Sequence, residues 1–525
     1  MSSDREEYSP DGVDGDLSQE RSVDSVWVAD SLSLGREVLF VAIACMAQFC
    51  TRKSSLLCPP LDRLDSPTKT SYLGTLVLLS TIGETFGVTN PGRLAWLVAG
   101  YSLTVGTFIL FSGRLGDLFG YKRMFIIGLC WFSLWSMIAG LSVYHNFVLA
   151  VFSRVLQGIG PAICLPNALA TLGAAYAPGP RKAMVFAFFG AVAPIGAVVG
   201  ALFASLLAME WWPWAQWVLA LWLAFLAVAG LFVIPDQPRK TPLPKGLKAW
   251  VESLDVPGAF TGVAALILFN FAWTQAPISG WDTPTAIVPL ILSFIFFAAF
   301  ALIEVKWSTR PLLPFSAVKA DVAFVLAAVA CGWATFGVWT LYLVRMLEDI
   351  RHLPPLLVTG WFSPVTIAGA CAAVITGKLL GPLNVKPPIV MTLALLAFLI
   401  GAILTATVPV DQVYWGQTFV SMLVMPFGMD MSFPASTLIL SDAVTKEHQG
   451  IAASLVNTVV NYGIALGVGF AGTVEVQVND GGDTMDEILK GYRGALYMGT
   501  GLAGLGVLVC ASYLVREYVI PRARK

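Results

Sequence analysis

A chain of 525 residues that is 57% apolar and only 12% charged carries about half the charge of a soluble domain, so it belongs in lipid. Its formal net charge of −1 is no guide to partners, because acids and bases are sorted along the chain, and nucleic acid as a partner is not supported. Eight cysteines, mostly inside apolar runs, and three scattered histidines (His145, His352, His448) offer neither a disulfide framework nor a metal site, and no cofactor is expected.

Residues 1–34 hold nine acids from Asp4 to Asp30 and only two bases, Arg5 and Arg21. They read as a disordered acidic cytosolic tail, lacking the basic start and apolar stretch of a signal peptide. The next segment is anomalous. Residues 38–50 are apolar but would reach only about 20 Å as helix. Residues 51–70 then bring Arg52, Lys53, Asp62, Arg63, Asp65 and Lys69 with three prolines, and apolar character returns at 72–83. Each such charge at a helix centre costs about 2.5–3.5 kcal/mol, which excludes one continuous span. The reading adopted is one span whose halves, 38–50 and 72–83, flank extraneous sequence; a re-entrant break is the alternative.

Runs able to cross about 30 Å of hydrocarbon follow near 94–112, 124–142, 147–174, 184–208 and 215–234. They resume at 257–275, 286–303, 322–343, 357–376, 388–408, 416–440, 451–474 and 494–515. With the span expected before residue 94 this makes fourteen transmembrane helices, an all-α polytopic membrane protein. The organisation reads as a six-helix bundle over 35–234, a basic linker at 235–256, two extra spans at 257–303, a second six-helix bundle over 304–515, and a tail at 516–525. Most of the 32 Lys and Arg fall on the side that holds both termini, so both ends are expected in the cytosol. Leu247–Leu254 in the linker is apt to lie along the membrane surface.

Between the second and third spans stands Gly113-Arg-Leu-Gly-Asp117-Leu-Phe-Gly120-Tyr-Lys122-Arg123. Glycines permit a tight reversal and the bases hold it in the cytosol. Asp117 can cap the next helix or, with Arg114 and Arg123, form a weak latch of the kind a gate can release. Gly377-Lys378-Leu379 and Lys386 repeat part of this pattern in the second bundle, as a parallel repeat of two halves requires.

Arg154 lies about 10 Å inside the fourth span, with Gln157 one turn on. A guanidinium does not give up its proton, so Arg154 can orient a carboxylate, an anion or a water chain but cannot itself be the carrier; snorkelling to the interface is the other reading. In the fifth span Gly190, Pro194, Gly196 and Gly200 serve as a hinge or as close helix packing. Asn167, Asn270, Asn457 and Asn461 line a cavity or bond between helices. Asp430 is the sole carboxylate deep within these runs, between Pro426 and Pro434, where a kinked or broken helix is expected. Burial opposes its ionisation and makes it the leading proton carrier, with helix capping or permanent pairing as alternatives. Met429 and its neighbours Met422, Met425 and Met431 offer an adaptable apolar wall or ordinary packing. Trp211, Trp212, Trp214 and Trp217 fit an interfacial aromatic belt.

The Gly113–Arg123 segment, Arg154-Val-Leu-Gln157-Gly158-Ile-Gly160 and the Gly190–Gly200 pattern resemble signatures of the major facilitator superfamily of secondary transporters. With fourteen spans the chain is similar to the fungal drug:proton antiporters, and Gly428–Ala435 resembles the aminotriazole-resistance branch. The resemblance implies the major facilitator fold, two six-helix bundles plus two central spans, and a role for Arg154 in proton coupling. It implies proton-driven efflux of small organic compounds or toxicants across a plasma or vacuolar membrane, by a monomer whose partners are lipid, substrate and protons. Uptake of a nutrient or chelate is the alternative, as is an inactive product if 51–70 is genuine. An enzyme would need converging catalytic groups, which these spans lack.

Overall fold

The computed structural model describes residues 28–53, 82–88, 91–176, individual positions between 181 and 210, 211–236, 246–308, 311, 320–353, 355–383, 385–443, 449–482 and 484–518. Helices make up the regular structure throughout, and no strand occurs among the described residues. Eleven of the described helices are long and apolar enough to cross a membrane. The backbone satisfies its own polar groups along each of them, which is what lipid demands.

The first group holds α1 (Leu34–Lys53), α2 (Pro91–Phe119), α3 (Tyr121–Leu141), α4 (Phe147–Gln157), α5 (Ile159–Ala175) and α6 (Pro213–Val233). A short α7 (Leu247–Leu254) leads into a hairpin of α8 (Val256–Ser279) and α9 (Pro284–Lys306). The last group comprises α10 (Ala320–Arg345), α11 (Pro355–Trp361), α12 (Ser363–Leu380), α13 (Pro387–Ala406), α14 (Gln417–Ala443), α15 (Gln449–Val478) and α16 (Met485–Tyr518). Helices alternate in direction, so the molecule has an Asp117 end and an Asn146 end.

Several helices outrun the apolar windows that announce them. Helix α1 has 20 residues, about 30 Å, because polar flanks at Arg36–Glu37 and Arg52–Lys53 are helical too. The first apolar run therefore reaches full crossing length. Residues 54–81, which hold the rest of the polar insert and most of the second half-span, lie outside the described residues. The acidic tail also ends earlier than its composition indicates. Val28–Ser31 forms a helical turn, Ala29 is buried, and Asp30 pairs with Arg181 at 2.9 Å. Residues 1–27 lie outside the description.

Where the groups meet, small residues let backbones approach. A Cβ on Gly106 of α2 would stand 3.1 Å from the Tyr462 nitrogen of α15, and one on Gly113 would stand 3.0 Å from Ser454 Oγ. Helix α8 fits against the same seam: Trp96 of α2 donates to Gln275 at 3.2 Å, and Tyr462 donates to the Leu266 carbonyl at 2.9 Å. Toward the Asn146 end a single apolar cluster runs from Leu97, Phe147 and Trp212 to Trp339, Leu343 and Phe362, joining both groups.

Candidate functional site

The fourth span comprises α4 and α5, which meet at Gly158; that residue keeps helical dihedrals, and the Gly158 N–H to Arg154 carbonyl and Ala162 N–H to Gly158 carbonyl bonds, both 3.3 Å, run through the join. Asn146 caps α4 by accepting from the Leu149 N–H at 2.8 Å. Glycine at the join has a steric cause: a Cβ on Gly158 would stand 2.1 Å from Thr104 Oγ1 and 2.5 Å from the Tyr101 carbonyl. Helix α2 is pressed against this point, and Thr104 donates to the Val155 carbonyl at 2.7 Å. The buried face of α4 carries Ala150, Ser153, Arg154 and Gln157, one helical stripe.

Arg154 is only 3% exposed and does not snorkel. Its Nε donates to the Leu97 carbonyl at 3.1 Å, its Nη1 donates to Gln157 Oε1, and its guanidinium lies 4.8 Å from the Tyr101 ring centre. Gln157, fully buried, passes the network on: Nε2 donates to Ser136 Oγ at 2.6 Å and to Gln216 Oε1 at 3.3 Å. Helices α2, α3, α4 and α6 thus converge on one permanently cationic, orientationally fixed centre. Such a centre in apolar surroundings attracts anions and orders dipoles, and its chain of amide and hydroxyl groups gives it a defined orientation. Sequence reasoning found Arg154 and Gln157 but missed Ser136, Tyr101 and Gln216. The signal for Gln216 is a lone polar residue in an apolar helix, set among tryptophans that fit an interfacial belt.

The Gly113–Arg123 segment is not a loop. Helix α2 runs through Gly113, Gly116 and Asp117, and Gly120 alone, at φ 96°, turns the chain into α3. Gly116 instead makes room for Asn167, whose Oδ1 would be 1.9 Å from a Cβ there. Gly120, not Asp117, occupies the N-cap of α3; Asp117 accepts from the Tyr121 hydroxyl at 2.6 Å. Arg114 donates to the Ser253 and Pro311 carbonyls at 3.1 and 3.3 Å, so it reaches the α7–α9 region. Lys122 pairs with Asp236 at 3.2 Å, and Arg123 is exposed.

Asp430 is half-buried on α14, which stays one helix from Gln417 to Ala443 through Pro426 and Pro434, so of the kinked or broken forms expected there the broken one does not occur. Near Pro434, Ser432, Ser436 and Thr437 bond back to carbonyls of their own helix. Helix α14 packs on α12, α13, α10 and α15 of the last group, so Asp430 and Arg154 belong to different groups. Met429 and its three neighbours are buried, Met425 closing against Gly401, which is core packing. Asn167 donates to the Ile163 carbonyl at 2.6 Å and the Ser112 carbonyl at 3.5 Å, a structural use. Asn270 is buried in α8, and Asn461 donates to the Asn457 carbonyl beside Gly106. Gly196 touches α1, where a Cβ would meet Phe49 Cα at 2.9 Å, and Gly200 is buried; Gly190 and Pro194 lie outside the described residues.

Asp430 is also not the sole interior acid. Glu37, Glu304 and Glu348 are each under a tenth exposed, and Glu475 is paired inside the last group, all near helix ends that apolar windows cut off.

Residues 68–468 match the family model described as Major Facilitator Superfamily. Among curated relatives, the "Low affinity ammonium transporter" of Saccharomyces cerevisiae is 50% identical, covering 97% of this chain and 93% of its own length. "Efflux pump terG" of Aspergillus terreus is 40% identical over 96% and 92%, and the "Aminotriazole resistance protein" of Saccharomyces cerevisiae 38% over 85% and 81%. Among solved structures, a peptide transporter (POT) in complex with sulfate superposes with a TM-score of 0.62 at 16% identity, over 91% of this chain and 95% of that one.

Proposed function

This chain belongs to the major facilitator superfamily of membrane transporters, and from that premise we propose that it exports small organic compounds or toxicants in exchange for protons. The observation that carries the proposal is the Arg154–Gln157–Ser136–Gln216 network, a buried cation held by dipoles in the heart of the first group. A buried cation is costly to fold around, and one able to meet a substrate anion or a protonatable acid has a use in a transport cycle. The efflux and resistance names of relatives at 38–40% identity support export.

In this reading fourteen spans place both termini in the cytosol, Arg154 and Gln157 orient, and Asp430 carries the proton. Substrate occupancy and protonation each bias the inward–outward equilibrium. The Asp117 end faces the cytosol, a monomer suffices, and the plasma membrane is the site. The test is accumulation of toxic compounds by cells expressing the full chain, with and without a protonophore. Export is expected to fail when the proton gradient collapses, and Asp430→Asn is expected to remove its dependence on external pH. Unchanged pH dependence in Asp430→Asn would take the carrier role from that residue.

A second reading has one observation in its favour, the 50% identical relative named for ammonium. It makes the cargo a small nitrogenous cation moving inward. Counterflow in vesicles, acid inside against acid outside, separates the two directions.

A further inference from the structure

At the Asn146 end of the last group, five side chains from α10, α15 and α16 form a polar cluster that the transport reading does not use. Tyr342 and Arg345 come from the end of α10, and the π-wound turn Met346–Ile350 that extends it carries Asp349. Glu475 comes from α15 and Tyr492 from α16. The side chains of Arg345, Asp349 and Glu475 retain 14, 15 and 17% exposure. A π turn in an otherwise α helix is costly and marks functional sites more often than chance.

The two carboxylates are served unequally by the one guanidinium between them. Arg345 Nη1 donates to both Glu475 oxygens, at 2.6 and 2.7 Å, and the Tyr342 hydroxyl adds a third bond at 2.7 Å. Asp349 has Arg345 Nε at 3.5 Å and the Tyr492 hydroxyl, both on Oδ2. Its Oδ1 is buried and meets no donor. The guanidinium stacks over the Tyr492 ring, 4.5 Å from its centre, which fixes it in place. Of the surrounding bases, Arg351 donates to the Gln412 carbonyl at 2.8 Å, Arg493 donates through Nη2 to the Val408 carbonyl at 3.3 Å while its buried Nε meets no acceptor, and Lys490 pairs with Asp480. Glu348 is buried on the same π turn.

One buried cation neutralises one buried anion. Glu475 accepts three bonds, whereas Asp349 keeps one oxygen empty, and that oxygen is where a proton has room to sit. We infer that Asp349 is a reversible proton-binding site, its proton on Oδ1 and the Tyr492 bond on Oδ2. Protonated, Asp349 leaves Arg345 wholly to Glu475 and the α10–α15 tie is tight. Ionised, it competes for the guanidinium and pulls the π turn against that tie. Helix α15 also forms the seam with α2 at Gly106, so the tie reaches the contact between the two groups. A part for this site in coupling rests on the proton-exchange reading above; the binding of the proton does not.

The experiment is infrared difference spectroscopy of the full chain in lipid nanodiscs between acid and alkaline buffer, without substrate or gradient. A protonated-carboxyl C=O band is expected, lost in Asp349→Asn and kept in Asp430→Asn. Glu475→Gln hands the guanidinium to Asp349, so the Asp349 band is expected to be lost there at the same pH. Size-exclusion elution checks each variant for folding, and if Asp349→Asn fails that check the Glu475→Gln spectrum decides. A band unaltered by Asp349→Asn, or by Glu475→Gln, overturns the assignment. Because no transport is measured, failure of the efflux reading leaves these spectra fully interpretable.

Discussion

Arg154 was legible from sequence because a charge within an apolar run cannot be accidental; its partners were not, since Ser136 and Gln216 are ordinary residues until folding brings them together. The geometry makes a sharp demand on the side chain. Three contacts, to the Leu97 carbonyl, Gln157 and the Tyr101 face, use the planar fork of a guanidinium. An ammonium supplies charge without that fork. Arg154→Lys is therefore expected to accumulate in the membrane at near-normal levels while transport falls about tenfold or more, since two lost hydrogen bonds at about 1–1.5 kcal/mol each act on the working state. Equal initial rates for Arg154→Lys and the parent in vesicles would refute a geometric role.

At the scale of helices, hydropathy located the spans but misplaced their ends. Apolar windows stop at the first charges, whereas helices continue until a glycine or proline stops them, as α2 does through Arg114 and Asp117 to Gly120. The lost turns are where Glu304, Glu475 and Asp349 lie. The start of α8 shows what such an end contains. Asp255, at φ 47°, caps the helix by accepting from the Gly258 N–H, and a Cβ on Gly258 would stand 2.5 Å from Asp255 Oδ2 and 2.8 Å from Glu304 Oε1. Gly258→Ala is expected to destabilise the hairpin by about 1–3 kcal/mol through overpacking. A lowered midpoint in thermal unfolding in detergent, with the rest of the chain still helical, checks it. Likewise Asn146→Ala removes the α4 cap, at a cost of about 1 kcal/mol.

For the whole molecule, the two groups of helices touch along α2 and α15 and are bridged toward the Asn146 end by one apolar cluster. Gly377 echoes Gly113 in the sequence; the seam between the groups left no such mark, because close approach depends on which glycines face each other. Gly106→Leu would drive a side chain into the α15 backbone and hold the groups apart. Transport is expected to fall severely while the variant still elutes as a folded species. The companion Gly377→Leu, where a Cβ meets nothing within 4 Å, is expected to be tolerated in both assays.

The reach of Arg114 gives the α8–α9 hairpin a standing that its name as an extra pair of spans conceals. Its guanidinium is anchored on carbonyls at Ser253 and Pro311, immediately before and after that hairpin. Excising the pair would leave Ser253 and Pro311 in the chain but join their two segments by one short connection, changing the spacing at which they meet the arginine. The hairpin thus sets the geometry of the Asp117 end, and a trimmed protein would have to rebuild that arginine's seat.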